Sequence, residues 1–183
     1  MTENVPEKKR VVTACMLIIG NEILSGRTQD ANLQYLSKAL NEWGVRMKEA
    51  RVIPDEESVI IDTLNECRRR FDYVFTTGGI GPTHDDITAD CIAKAFGVEL
   101  IMDPEAEAMI RQREAPPEVM AMRLRMARVP QGSTLIRPQL GAPGFRIENV
   151  FVMAGVPAVM RSMTDALEGE LEGGDPVRSR AIT

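Results

Sequence analysis

The stretch TTGGIGPTHDDIT, residues 76–88, combines groups that can hold a phosphate with groups that can hold a metal ion. Glycines let the backbone approach a ligand closely, and the helix start that follows them adds a partial positive charge. Gly78, Gly79 and Gly81 therefore form a candidate phosphate cradle. A tight turn in which Asp85 or Asp86 caps the helix explains the glycines equally well.

The two adjacent aspartates favour a metal site. Two carboxylates beside a phosphate repel it unless a divalent cation lies between them, and Mg²⁺ is usually bound through one or two carboxylates plus substrate phosphates. A helix cap needs only one aspartate. We therefore expect Asp85 and Asp86 to hold Mg²⁺.

Three other groups could do chemistry, and each has an ordinary structural explanation. Asp55 lies between a predicted strand and a predicted helix, which by itself favours an N-cap over a catalytic group. Residues 25–28, Ser-Gly-Arg-Thr, suit a phosphate or a sugar as well as a plain surface loop. A basic group in the second half is more typical of solvated helix faces; it comprises Arg111, Arg113, Arg123, Arg125 and Arg128.

Predicted strands and helices, which must position these residues, alternate along the first half of the chain. Apolar runs at 11–19, 45–53 and 71–77 predict buried strands. Each is followed by helical periodicity, with helices expected from Asp30 to Gly44, after Pro54-Asp55, and over 87–96. Three consecutive β-α units predict a mostly parallel sheet with helices on both faces, a three-layer α/β sandwich.

The second half is less regular. We expect a short strand at 98–102, a helix opened by Asp103-Pro104, and another helix begun by Pro116 and Pro117. Residues 130–144 are predicted to be mostly loop. Residues 144–147 and 150–153 are predicted to form a hairpin that turns at Glu148-Asn149, and residues 157–167 a last helix. Ligands of open parallel sheets lie at the carboxyl ends of the strands, which singles out the loops 20–29, 54–55, 78–86 and 154–157.

Composition narrows the class of protein. The 183 residues are 44% hydrophobic and 27% charged, with a formal charge of -5, which fits one globular domain and argues against nucleic acid as a partner. No apolar run has the length of a membrane span, and residues 1–10 lack the apolar core of a secretory signal. The three cysteines lack metal-site spacing, so buried reduced thiols in a cytoplasmic protein are expected.

Three segments together resemble a known family: IIGNEILSGRTQDAN, RVIPDEESVI and TTGGIGPTHDDIT. They are similar to the molybdopterin-binding domains of MoaB and Mog proteins and, most closely, to the amino-terminal domain of CinA, the competence/damage-inducible protein. The resemblance covers residues 11–168. It implies a ligand that is a molybdopterin or a nucleotide, Mg²⁺ as cofactor, and a homo-oligomer, dimer or trimer.

The resemblance also implies roles for individual residues. The catalytic aspartates of the family correspond to Asp55 and Asp86. The implied ligand-binding residues lie on three loops: Ser25, Gly26, Asp30 and Asn32; Thr77, Gly78, Gly79, Gly81, Pro82 and Thr83; and Gly155, Val156 and Pro157.

The chain departs from the family pattern at two places. Asp85 stands where Mog enzymes have an arginine, which argues against Mog-like adenylyl transfer, and Ala154 replaces the first proline of the last loop. CinA-type proteins carry ADP-ribose pyrophosphatase activity in this domain, so that activity is one expectation. A binding or oligomerisation module without turnover is the alternative. Residues 1–10 and 169–183 are expected to be flexible tails, and the chain to end early relative to longer relatives.

Overall fold

The computed structural model describes residues 10–174, and the predicted tail segments 1–9 and 175–183 lie outside the described residues. The helices are α1 (Asn21–Leu24), α2 (Asn32–Glu42), α3 (Glu57–Arg70), α4 (Thr88–Phe96), α5 (Pro104–Arg111), α6 (Pro117–Arg123), which continues into a 3-10 helix (Leu124–Ala127), and α7 (Pro157–Asp165). The strands are β1 (Val12–Ile19), β2 (Val45–Ile53), β3 (Tyr73–Thr77), β4 (Leu100–Met102), β5 (Arg128–Pro130), β6 (Thr134–Ile136), β7 (Gly144–Ile147) and β8 (Val150–Met153).

The main sheet has six strands in the order β2-β1-β3-β8-β7-β6. The first four strands are parallel neighbours, and the last two join as antiparallel partners through the β7-β8 hairpin. This confirms the predicted mostly parallel sheet and the predicted hairpin. The carboxyl ends of β1, β3 and β8 therefore lie side by side at one edge of the sheet.

Alternation along the strands builds a core on each face of the sheet, because successive side chains of a strand point to opposite faces. Cys15 and Leu17 pack with Leu64 of α3 and Ile92 of α4 on one face. On the other face Ala14, Met16 and Ile18 pack with α2 and α7, through Leu36, Leu40, Met160 and Met163. The three-layer α/β/α arrangement predicted from the sequence is thus confirmed.

Several short elements depart from the sequence prediction. The loop expected at 20–29 contains α1, and the loop-rich stretch 130–144 contains β6. The predicted strand at 98–102 is shortened to β4, which pairs with β5 in a separate two-stranded antiparallel sheet instead of joining the main sheet. Residues 169–174 contact the domain: Tyr73 Oη accepts a hydrogen bond from Glu172 N at 3.0 Å, and Gly174 N donates to Gly44 O at 2.9 Å.

The three cysteines are free and buried, as expected. Cys15 Sγ of β1 and Cys67 Sγ of α3 lie 3.6 Å apart in the core. The hydrogen bond with Cys67 and then burial raise the pKa of the Cys15 thiol well above its usual range. Within residues 10–174, no helix has both the length and the apolar character needed to cross a membrane.

The turn after β3 is fixed by contacts that leave no space for side chains at its first two positions. Gly78 has φ 99°, and a Cβ there would lie 2.1 Å from Ile19 O. Gly79 has φ 66°, and its Cβ would lie 2.1 Å from Thr88 Oγ1. Thr88 Oγ1 donates to Gly78 O at 3.0 Å, and Thr88 N donates to Gly79 O at 2.9 Å. The first turn of α4 thereby holds the glycine turn in place.

An ion-pair network ties the edge strand β2 to α3. Arg51 donates two hydrogen bonds to the Glu66 carboxylate, at 2.8 and 2.7 Å, and Arg70 donates a third at 2.7 Å. Arg51 first, and Arg70 second, lower the pKa of Glu66 from 4.5 to about 2. The charged form of Glu66 is therefore favoured in the folded state.

We predict that Gly79→Ala destabilises the domain more than Gly97→Ala. Both glycines have φ 66°, so both substitutions incur the same left-handed backbone strain of about 1–2 kcal/mol, but a Cβ at Gly97 meets no heavy atom within 4 Å. The contact with Thr88 should cost Gly79→Ala about 1–3 kcal/mol more. Denaturant unfolding of both variants measures this difference, and equal losses would contradict the steric account.

We also predict that Glu66→Gln lowers the free energy of unfolding at neutral pH and that the loss fades in acid. Because the folded-state pKa is depressed, the stabilisation is fully present above about pH 4.5 and disappears as pH falls toward 2. Denaturant unfolding at several pH values between 7 and 2 measures the difference. Glu118→Gln, at an exposed glutamate without an ion pair among residues 10–174, is the control; a Glu66→Gln loss that did not change with pH would argue against the network.

Candidate functional site

A cavity of about 320 Å³ lies beyond the carboxyl ends of β3 and β8. The glycine turn 78–82 forms one side and residues 154–156, after β8, form another. Met126 of the 3-10 helix and Ala142-Pro143, which precede β7, complete the walls. We refer to this space as the main cavity. It lies at the sheet edge at which the sequence predicted a ligand.

The glycine turn, which lines the main cavity, has backbone donors that are not used within the described part of the fold. The N–H of Gly78 is used within the fold, since it donates to Met153 O at 3.3 Å. The N–H groups of Gly79, Ile80 and Gly81 donate to no acceptor among residues 10–174. Three neighbouring unpaired donors on a cavity wall suit an anionic oxygen, such as one of a phosphate.

Asp86 also lines the main cavity, and its orientation is fixed by the turn. Asp86 Oδ2 accepts hydrogen bonds from Thr83 N at 2.9 Å and from Thr83 Oγ1 at 2.7 Å. Asp86 Oδ1 accepts no hydrogen bond within the part of the chain that the structure describes. A Cβ at Gly81 would lie 2.7 Å from the carboxylate, so the missing side chain at Gly81 leaves space for Asp86.

Asp85 is turned away from the main cavity. Its side chain is 82% exposed and contacts His84 Nε2 at 3.1 Å, and His84 is itself exposed. The two adjacent aspartates therefore do not converge on one point. Among the described residues, no group of three His, Cys, Asp or Glu side chains has the arrangement of a complete metal site.

Asp55 contacts the segment after β1, which carries a residue of the cavity wall. Its carboxylate accepts a hydrogen bond from Asn21 N at 2.8 Å, and Gly20 N donates to Ile53 O at 3.1 Å. These contacts hold the start of α1 against the end of β2. Glu22, the next residue of α1, lines the main cavity. Asp55 itself is not in the cavity wall, and it positions the segment that carries Glu22.

Two arginines stand beside the glycine turn. Arg125 of the 3-10 helix and Arg128 of β5 line a recess of about 20 Å³ that they share with Gly79, Gly81 and Asp86. Arg128 reaches Asp90 at 3.3 Å, whereas Arg125 is exposed and forms no ion pair with any residue in the range 10–174. Arg125 is thus an unpaired positive charge in the recess beside the glycine turn.

A smaller cavity of about 70 Å³ adjoins the main one and shares Glu22, Gly78 and Gly155 with it. Asp30, Asn32, Thr77 and Pro157 line it as well. Asn32 Nδ2 donates to Gly155 O at 2.8 Å, which links the start of α2 to the loop after β8. The Asp30 carboxylate accepts a hydrogen bond from Leu33 N at 2.9 Å, which satisfies a donor in the first turn of α2.

Most residues implied as ligand contacts border one of these two cavities. They are Asp30, Asn32, Thr77, Gly78, Gly79, Gly81, Pro82, Gly155, Val156 and Pro157. Thr83 orients Asp86 instead of lining either space. Ser25 and Gly26 lie outside both cavities, where Ser25 Oγ donates to Glu22 O at 3.2 Å and accepts from Arg27 at 3.2 Å.

Sequence reasoning did not single out several residues of the site. Glu22 lies in the segment 20–29, which the sequence singles out because it follows a strand, but no local pattern distinguishes Glu22 from its neighbours. Met126, Ala142 and Pro143 come from distant parts of the chain, and no motif marks them. The sequence pattern around Arg125 is typical of a solvated helix face, and only the packing of the 3-10 helix beside the glycine turn shows its position.

Comparison with known proteins identifies the family. Residues 15–172 match the family described as "Probable molybdopterin binding domain". A protein of Archaeoglobus fulgidus is 35% identical over 161 residues, which cover 87% of this chain and 69% of that protein. A CinA-like protein of Syntrophotalea carbinolica is 35% identical over 85% of this chain and 39% of its own length. The chain therefore spans only part of these longer relatives.

Solved structures agree with the sequence comparison. CinA from Thermoplasma acidophilum superimposes with a TM-score of 0.78 at 32% identity, over 86% of this chain and 98% of that one. MoaB from Pyrococcus furiosus, a tungsten cofactor synthesizing protein, has a TM-score of 0.58 at 20% identity over 88% of this chain and 92% of its own, which shows a shared fold. The chain belongs to the family of molybdopterin-binding domains of the MoaB/Mog type, together with CinA-like proteins.

Proposed function

We propose that the main cavity binds the phosphate group of a pterin or a nucleotide and that the domain acts with a divalent cation on a pyrophosphate-containing ligand. The observation that carries the proposal is the combination on one wall of three unpaired N–H groups and a carboxylate with one free oxygen. The N–H groups of Gly79, Ile80 and Gly81 suit anionic oxygens. Asp86 Oδ1 suits a cation beside them.

The charges around the main cavity favour a bridging cation. Glu22 and Asp86 both line it, and two carboxylates would repel a phosphate in the absence of a counter-charge. The residues fit a magnesium ion held by one or two carboxylates and completed by ligand phosphates, and they do not fit a cage built from protein side chains alone. Asp86 is the proposed ligand, with Glu22 as the second carboxylate available; Asp85 points elsewhere. When bound, magnesium would supply Lewis-acid polarisation of the phosphate oxygens and a template for the reacting groups.

The chain's own residues have separable roles in this proposal. The glycine turn donates hydrogen bonds to the phosphate, and Thr83 holds the Asp86 carboxylate in one orientation. Arg125 adds a positive charge at the open side of the turn. Asp55 is a positioning residue, because it fixes the segment that carries Glu22. The substrate class supported by this set is a phosphate ester or anhydride, such as ADP-ribose.

We predict that Asp86→Asn reduces Mg²⁺-dependent hydrolysis of ADP-ribose by on the order of 10²–10³-fold. Asparagine keeps the acceptor for Thr83 and removes the charge, so the turn should remain folded. The matched control is Asp85→Asn, an exposed neighbour whose change should leave the rate within about twofold of wild type. Product formation is followed with and without Mg²⁺, in parallel with thermal unfolding.

Two results would count against this assignment. Unchanged turnover in Asp86→Asn would show that Asp86 is not needed as a metal ligand. A ligand-induced rise in the unfolding temperature of wild type without any product would favour the non-catalytic binding module. The same thermal test with FAD, ATP and molybdopterin, each with and without Mg²⁺, separates a nucleotide ligand from a pterin ligand.

We predict that Arg125→Gln weakens ADP-ribose binding by about tenfold or more, because a charge-assisted hydrogen bond to phosphate is lost. The loss should shrink at high salt, since the exposed guanidinium is screened. Arg123→Gln, two residues away and outside the recess, is the control. Calorimetric titration at two salt concentrations measures both variants, and equal effects of the two substitutions would show that Arg125 has no specific role.

A further inference from the structure

The main cavity is larger than a phosphate group needs, and part of its lining is apolar. Its volume of about 320 Å³ falls within the range of cavities that hold whole small-molecule ligands, about 300–1,000 Å³. The proposed function uses only the glycine turn and the carboxylates of this lining. A further part of it, which we call the apolar wall, consists of Met126, Ala142, Pro143, Val159 and Met163. Because the side chains of the apolar wall donate no hydrogen bond, they suit a part of the ligand other than its phosphate.

The loop that carries Ala142 and Pro143 is held against α7 by one serine. This loop connects β6 to β7. Ser162 Oγ of α7 accepts hydrogen bonds from Gln139 N at 2.8 Å and from Leu140 N at 3.3 Å. A single hydroxyl therefore satisfies two backbone donors of the loop and ties it to the helix.

Close packing with α7 continues along the same loop. A Cβ at Gly141 would lie 2.8 Å from Val159 Cγ1, so the backbone at Gly141 passes directly over the first turn of the helix. One turn later, Met163 Sδ accepts a hydrogen bond from Ala154 N at 3.3 Å. The loop and α7 thus form one packed unit that supplies four of the five residues of the apolar wall.

The chemistry of the apolar wall suits a planar ring. Met126 and Val159 are only half-buried, so each keeps accessible surface in the lining of the main cavity. A thioether makes favourable contacts with aromatic rings and adapts to their shape. A phosphate or the hydroxyl groups of a sugar would lose hydrogen bonds to water against these side chains and gain none. A flat heterocycle loses little and buries apolar surface.

We propose that the apolar wall is the subsite for the planar heterocycle of the ligand whose phosphate lies on the glycine turn, with Met126 in contact with the ring. Ser162 is the positioning residue of this subsite, because it holds the loop that supplies Ala142 and Pro143. The inference rests on the proposed function. It adds where the ring of the ligand lies and which residues determine the preference for a ligand that has one.

The test compares three probes, each titrated calorimetrically in the presence of Mg²⁺. ADP-ribose has phosphates, sugars and a planar ring, ribose 5-phosphate lacks the ring, and inorganic pyrophosphate lacks both ring and sugar. Wild type should bind ADP-ribose more tightly than either of the others. Met126→Ala is expected to weaken ADP-ribose binding by about fivefold or more and to leave pyrophosphate and ribose 5-phosphate binding unchanged.

Two further variants make the test specific to the apolar wall. Met122→Ala is the matched control, since Met122 lies one turn earlier in α6, is 49% exposed and borders neither cavity. It should bind all three probes as wild type does. Met126→Leu keeps an apolar side chain of similar volume and should recover most of the ADP-ribose affinity.

The role of Ser162 is tested with the same probes. Ser162→Ala removes the acceptor for two N–H groups of the loop and should weaken ADP-ribose binding by about threefold or more, with pyrophosphate binding unchanged. Ser133→Ala is the control, because Ser133 is also half-buried and bonded to the backbone, at Pro130 O, but borders neither cavity. A variant that merely folded poorly would lose affinity for every probe.

The outcomes separate this inference from the function on which it rests. If wild type binds ADP-ribose no more tightly than ribose 5-phosphate, or if Met126→Ala binds ADP-ribose like wild type, the ring does not lie on the apolar wall and the inference is overturned while the proposed function stands. An equal loss for all probes in Met126→Ala would also overturn it, because the effect would then lie at the phosphate. If wild type binds none of the probes, the proposed function and the inference fail together.

Discussion

The close approach of backbone at the ends of β1, β3 and β8 is the constraint on which the rest of the site depends. Gly78 Cα sits where a side chain would lie 2.1 Å from Ile19 O, and Gly155 approaches Gly78 from the other side. Parallel pairing brings these three strand ends to one edge of the sheet. Only glycine fits at position 78, because the obstacle there is a backbone carbonyl that cannot move aside. The glycines keep side chains out of this part of the edge, and both cavities lie next to it.

The regular part of the fold could be predicted because its signals are local. β2 and the β7-β8 hairpin match the expected bounds, and the helical periodicity of α2 to α4 follows one buried stripe on each helix. The short strands β5 and β6 have three residues each, too few for an alternation to be recognised. Their identity depends on partners elsewhere in the chain. β4 was expected from its apolar residues, but pairing with β5, a tertiary contact, determines which sheet it joins.

The residues of the candidate site also fall into two groups, those that a local pattern identifies and those that only tertiary packing brings there. Gly78, Gly79, Gly81 and Asp86 belong to one short segment, so their spacing could be interpreted without the structure. Asp85 has the same chemistry as Asp86, and the sequence could not show that one carboxylate faces the cavity and the other faces solvent. Ala142, Pro143 and Arg125 reach the site only through packing of the second half of the chain against the first. Their types are ordinary for surface or loop positions, so no local pattern could have identified them.

Side chains of opposite charge lie on different sides of the glycine turn. The loop after β1 and the start of α2 bring carboxylates, Glu22 and Asp30, to one end, while the 3-10 helix and β5 bring Arg125 and Arg128 to the other. Asp86 lies between these ends, with one oxygen held by Thr83 and one left free. In the proposed function, Asp86 both closes the glycine turn through Thr83 and holds the cation, so cation binding at its free oxygen would stiffen the turn.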